Sequence, residues 1–265
     1  MDYTANYKKL LKKEIKIYPN AFYLCNALAG ELFAKSKEYS RNKKNLNIAL
    51  SGGITPITFF QILNLKYARR INWRNIQFYW SDERCVPPDD AESNYGMAKK
   101  FLLNKIEIPE VNIHRVKGEE GPYGEASRYS DELLSNVPLK NNMPSLDLIL
   151  LGLGADGHTA SIFPGQKEIF NSQKICTVSI HPETGQRRIT MTRKIINNAK
   201  QITFIVTGKN KSEIVYKILY KINDYRKYPA SYIQPVNGRL EWLLDLNSSS
   251  LIEHKKFNEN TNDRY

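Results

Sequence analysis

Asp156 and His158 stand two residues apart inside LDLILLGLGADGHTASIFPG (146–165), where an apolar run empties into glycines, a carboxylate and an imidazole. Histidine has an ordinary pKa of ~6.5 and can take a proton from water near neutral pH. A neighbouring carboxylate can fix the imidazole tautomer and stabilise the imidazolium that forms. The pair therefore reads as a general base, His158, with an orienting acid, Asp156. A lone histidine ordinarily serves as a hydrogen-bonded structural residue; the glycine-rich strand end is what favours catalysis here.

The same segment spells G-x-G-x-x-G at Gly152, Gly154 and Gly157, a pattern shared with dinucleotide-binding loops. That use needs a long helix starting in the loop, with its N-terminus on the pyrophosphate. Asp156 opposes it by placing a negative charge there. Pro164, seven residues beyond Gly157, opposes it by interrupting the helix near its opening turns. A catalytic turn is the better reading, although a strand and Glu183 do follow.

A second constellation is LSGGITP (50–56). Gly52 and Gly53 permit close backbone approach, Thr55 suits an N-cap and Pro56 the first helical position. Free amides and the helix dipole at such a start favour an anion, with phosphate the natural guest. An ordinary strand-to-helix turn uses the same residues. The third is Ser81-Asp-Glu-Arg84, where two acids can pin a guanidinium and leave part of its fork for an oxyanion or phosphate; a surface turn with a weak ion pair is the alternative. Arg188 at a strand start, and Lys209 and Lys211 after another strand, add positive charge at strand ends.

These loops need a scaffold. Apolar runs at 46–50, 76–80, 146–151, 175–180, 189–192, 202–206 and 240–244 alternate with helical patterns at about 21–39, 56–65, 94–103, 124–135 and 212–220. Such alternation predicts an α/β fold, a mostly parallel sheet with helices on both faces. Ligands then bind outside the carboxyl ends of the strands, where every motif above falls. No repeat or linker divides the chain, so residues 1–246 read as one domain and 247–265 as a loosely held polar tail.

Composition narrows the classes further. The chain has 265 residues, 41% hydrophobic and 25% charged, ordinary for a globular protein. Its apolar runs are about six residues long, against the ~20 needed to span a bilayer. The N-terminus lacks the pattern of a signal peptide. Three scattered cysteines argue against a disulfide framework and suit a reducing cytoplasm. The net charge of +12 includes a cluster at Lys8, Lys9, Lys12 and Lys13, but no nucleic-acid-binding signature accompanies it. Four widely spaced histidines and the absence of H-E-x-x-H or G-x-S-x-G leave no metal cluster or serine elbow to propose.

Taken together, LSGGITP (50–56), FYWSDERCVPPDDAESNYGMA (78–98), LDLILLGLGADGHTASIFPG (146–165), RRITMT (187–192) and VTGKNKSEIV (206–215) resemble the 6-phosphogluconolactonase family. The related glucosamine-6-phosphate deaminases share the first three loops, but carry a catalytic glutamate where this chain has Phe163, and D-E-Y where it has D-E-R. Ile54 and Cys85 are small departures from the lactonase pattern. The resemblance implies a modified Rossmann-like fold and hydrolysis of 6-phosphoglucono-1,5-lactone, with no metal or organic cofactor. It implies His158 and Asp156 as catalytic groups, and Ser51, Gly52, Gly53, Thr55, Arg84, Arg188 and Lys211 around the substrate and its phosphate. The expected partner is a small phosphorylated sugar lactone, with no nucleic acid and no membrane, in a cytoplasmic monomer or small homo-oligomer. A deaminase-type isomerase and a non-catalytic sugar-phosphate-binding protein remain the alternatives.

Overall fold

The computed structural model describes residues 13–252. Lys8, Lys9, Lys12 and His254 lie outside them. Six strands, β1 (Lys13–Tyr18), β2 (Leu46–Leu50), β3 (Ile76–Trp80), β7 (Leu148–Leu151), β10 (Gln201–Val206) and β11 (Arg239–Asp245), form one sheet in the order β1-β11-β10-β7-β2-β3. All its pairings are parallel. Every residue of β2, β7 and β10 is buried, as expected of central parallel strands covered on both faces. That is why these strands read as continuous apolar runs.

Five helices of eight residues or more accompany the sheet: α1 (Ala21–Arg41), α2 (Ile54–Tyr67), α3 (Asn94–Phe101), α4 (Pro122–Asn136) and α7 (Ser212–Tyr220). Between α4 and α7 lie two single turns, α5 (Lys167–Phe170) and α6 (Arg193–Ile196). Strand order leaves β2 toward β3 on one side and β7 toward β10 and β11 on the other. The reversal between β2 and β7 opens a crevice at their carboxyl ends, the place where such sheets hold ligands.

Two expectations need correction. The runs at 175–180 and 189–192 are strands, β8 (Cys176–Ile180) and β9 (Arg187–Met191), but they do not join the parallel sheet. They form an antiparallel sheet with the short β4 (Asp82–Arg84), in the order β4-β9-β8. Six residues separate β8 from β9 in the chain, far too few for the dozen or more a parallel crossover requires. A further antiparallel pair joins β5 (Leu139–Lys140) to β6 (Met143–Pro144).

The polar tail does not begin at residue 247. Ser248 and Ser249 are fully buried and Ile252 nearly so. Ser248 Oγ donates to Val206 O at 2.9 Å, and its amide donates to Asp245 Oδ1 at 2.7 Å. Asp245 also accepts the Gly208 amide at 3.1 Å, so the chain after β11 braces the loop that leads to Lys211. Small polar side chains satisfy buried backbone groups here, which composition alone reads as a solvated tail.

Candidate active site

A cleft of about 510 Å³ opens at the carboxyl ends of β2, β7 and β10. Its walls bring together all the residues expected to act on or bind the substrate except Asp156: Ser51, Gly52, Gly53 and Thr55 from the loop after β2, Arg84, His158, Arg188 and Lys211, whereas Lys209 is not part of the lining. Asp156 stands directly behind His158. Its Oδ1 lies 2.6 Å from His158 Nδ1 and accepts the His158 amide at 3.2 Å. Burial pushes the Asp156 carboxyl up, but the hydrogen bonds and charge of His158 outweigh it and hold the carboxyl below its ordinary range. Asp156 is thus an anionic acceptor facing Nδ1, which leaves Nε2 as the free nitrogen of the ring.

The glycines of this loop have separate jobs. A Cβ on Gly154 would lie 2.1 Å from His158 Nδ1 and 2.3 Å from Asp156 Oδ1, so the pair closes over a bare backbone. Gly157 has φ +84, and a Cβ there would meet the Tyr228 ring at 2.6 Å. Its carbonyl accepts the Ala230 amide at 3.1 Å, which ties the loop to a distant segment. No long helix follows: after the loop the chain makes only the single turn α5. The dinucleotide pattern is coincidental.

After β2, Gly53 (φ +111) is the N-cap of α2 and supplies no side chain. Thr55 lies inside the helix instead of capping it, and its Oγ1 sits 2.7 Å from Thr207 Oγ1. Pro56 is the third helical residue. The first amides of α2 lack intrahelical acceptors and face the cleft uncapped. Ser51 turns its hydroxyl inward, donating to Leu150 O at 2.7 Å, so only its backbone is left for a ligand. Gly52 is required by Asn94, whose Oδ1 a Cβ would approach to 1.8 Å.

The acidic loop works differently from its sequence reading. Neither Asp82 nor Glu83 grips the Arg84 guanidinium, which donates instead to Glu92 O, while Arg84 Nε is buried with no partner among the described residues. Asp82 accepts from Ser161 Oγ at 2.8 Å and ties this loop to the one carrying His158. Glu83, 1% exposed, accepts the amides of Arg84, Asn94 and Tyr95 at 2.8, 2.7 and 2.7 Å. It caps α3 together with Ser93, whose Oγ accepts from Gly96 N. Arg84 pairs in register with Arg188 across β4 and β9, so two guanidiniums share one end of the cleft. Burial lowers the pKa of Arg188, and the like charge of Arg84 lowers it further. Burial likewise depresses the Lys211 ammonium, partly offset by Asp156. Such crowding of partly desolvated cations is relieved by an anion.

Glu83 gives a pH prediction. Burial raises its carboxyl to about 7, against the amide hydrogen bonds that pull it down. A folded pKa above the unfolded one means that the native state holds the proton longer. The stability this contributes is complete below the unfolded carboxylate pKa and is lost as pH rises through about 7. The melting-temperature advantage of the wild type over Glu83→Gln should therefore shrink between pH 5 and 7.5. A constant or growing difference would contradict it.

Sequence reasoning missed Asn94, Ser161, Phe163 as a packing partner of His158, and Tyr228.

A family profile described as glucosamine-6-phosphate isomerases/6-phosphogluconolactonase matches residues 19–242. The 6-phosphogluconolactonase of Haemophilus influenzae is 42% identical over 229 residues, covering 86% of this chain and 95% of that one. The solved 6-phosphogluconolactonase of Trypanosoma brucei superposes with a TM-score of 0.81 at 28% identity, over 91% of this chain and 99% of that one. A monomeric glucosamine-6-phosphate deaminase superposes with a TM-score of 0.74 at 21% identity, over 90% and 99%, a likeness of fold alone.

Proposed function

The chain belongs to the glucosamine-6-phosphate isomerase/6-phosphogluconolactonase family, and from that premise we propose that it hydrolyses 6-phosphoglucono-1,5-lactone to 6-phosphogluconate, a step of the oxidative pentose phosphate pathway. The Asp156–His158 pair, 2.6 Å apart at the wall of a cleft crowded with cations, supplies a base, and the observation that carries the choice of a hydrolase over an isomerase is Phe163, which stands where the deaminases carry a catalytic glutamate. His158 Nε2 takes a proton from a water as its oxygen attacks the lactone carbonyl C1. Asp156 holds the proton on Nδ1 and stabilises the imidazolium. The tetrahedral oxyanion develops near Arg84 and the loop amides, donors placed before charge appears. Collapse breaks the bond from C1 to the ring oxygen, and His158 returns its proton to that oxygen.

The 6-phosphate is assigned to the cradle of Gly52, Gly53 and Thr55 with the Ser51 backbone, and to Lys211 and Arg188. The uncapped start of α2 supports this, since amides and dipole there favour an anion. Arg84 serves the oxyanion or the phosphate. Two further parts of the proposal are cytoplasmic residence, supported by three free cysteines, and a chain that binds neither nucleic acid nor membrane. No helix among the described residues is long and apolar enough to cross a membrane.

The test is acid release from the lactone by purified protein, read against spontaneous hydrolysis, with glucosamine 6-phosphate offered in parallel. The expected result is lactone turnover far above background and none of the amino sugar. Deamination without lactone turnover would establish the isomerase reading instead. Binding of 6-phosphogluconate without any turnover would establish a sensor.

A further inference from the structure

Phe163 is 1% exposed, yet it is not among the residues of the contiguous hydrophobic core. Its neighbours are polar groups of the site. The His158 ring lies 4.7 Å from it, centroid to centroid, at 48°. The His181 ring meets it edge-on at 5.0 Å and 71°. The Arg188 guanidinium stands over it at 5.5 Å. A large aromatic buried away from the core and ringed by two imidazoles and a guanidinium does something other than fill the interior.

The mechanics follow from what holds His158. The contact with Asp156 restrains one nitrogen, and rotation about that contact leaves the tilt of the ring free. A ring packed against its side removes that freedom and keeps water from the same side. Phe163 is itself fixed from behind by His181, on the turn between β8 and β9. Hydrogen bonds close that turn: His181 N donates to Gln186 O at 2.9 Å, and His181 Nδ1 accepts from Glu183 N and Thr184 N at 3.3 Å each. The same hairpin carries Arg188, whose Nε donates to Gln186 Oε1 at 3.2 Å. Phe163 thus touches the loop of the base and the hairpin of a substrate cation at once.

We propose that Phe163 is a positioning residue for the reaction, an aromatic backstop that sets the plane of the His158 imidazole and its register with Arg188. The inference rests on His158 being the base. Attack on a carbonyl demands alignment of the base with a water and C1, and small misplacements are costly in rate. Loss of the ring should therefore appear in kcat before it appears in stability.

The experiment compares Phe163→Leu, which keeps most of the bulk, and Phe163→Ala with the wild type and with His158→Ala. Each is read by kcat and KM on the lactone, by melting temperature, and by the NMR signal of the His158 Nδ1 proton facing Asp156. The expected result is a kcat lowered on the order of tenfold in Phe163→Leu and more in Phe163→Ala, with KM changed less. The Nδ1 proton signal should broaden in both, while Phe163→Leu melts close to the wild type. If Phe163→Ala does not fold, Phe163→Leu decides alone. Wild-type kcat and a sharp Nδ1 proton signal in a folded Phe163→Leu overturn the proposal. So does a kcat that falls only with the folded fraction. An active His158→Ala defeats the base assignment instead, and the Nδ1 signal then still reports whether Phe163 holds the ring.

Discussion

His158→Ala is expected to lower kcat on the lactone by roughly 10²–10⁴ while the protein stays folded, the usual range for a general base. The imidazole is half-buried at the cleft wall, and the side chain of its partner Asp156 keeps 44% of its surface exposed. Removing it strands no buried charge, so the loss falls on chemistry and not on stability. Asp156→Asn makes the companion measurement. It keeps the shape, but an amide facing Nδ1 can reverse the tautomer, so kcat falls with little change in KM. The lactone opens spontaneously, so both variants are read as rate above background in the same buffer. Turnover by His158→Ala near the wild-type rate, with an unchanged melting temperature, would sink the base assignment.

The scaffold of this site was largely legible from sequence, because buried parallel strands announce themselves. LNIAL, IQFYW and QITFIV are predominantly apolar, and the loops after them carry the chemistry. Where strands are half-exposed the reading weakened. β8 and β9 were seen as strands, but their mixed burial is the mark of antiparallel pairing, and only the short turn between them reveals it. β1, KEIKIY, was missed because its charges alternate with apolar residues at the edge of the sheet.

Within the site, residue types were legible and their partners were not. Asp156 and His158 are neighbours in the chain, so their pairing follows from a tight turn. Glu83 stands beside Arg84 in the chain, and the ion-pair reading was natural. Its carboxylate instead turns to amides ten or more residues away, a choice made by the return of α3 and invisible locally. Gly52 has the same character. It reads as an opening for a ligand, yet its nearest constraint is the side chain of Asn94. Phe163 and Tyr228 lie further still from this logic, since nothing in their local sequence says which imidazole or glycine they face.

Gly154 carries the other large expected effect. Gly154→Ala should abolish most of the activity, by about 10²-fold or more, without unfolding the protein. The argument is geometric. The added Cβ would stand 2.1 Å from His158 Nδ1, 2.3 Å from Asp156 Oδ1 and 2.4 Å from His158 Cε1, where real contacts do not come under 3.0 Å. Gly154 has no positive φ, so alanine fits its backbone, and the atoms it strikes are ends of side chains able to swing away. The fold can therefore accommodate the methyl; the catalytic pair cannot. Asp156 and His158 must separate or move together by roughly 1 Å, a displacement that suffices to misalign a base with its water. Gly124→Ala is the control, since its Cβ meets nothing within 4 Å, and in the first turn of α4 it should leave activity and melting temperature close to the wild type. A Gly154→Ala protein with wild-type kcat would mean that the reaction does not depend on the closeness of Asp156 to His158, and the mechanism would have to be rebuilt around another base.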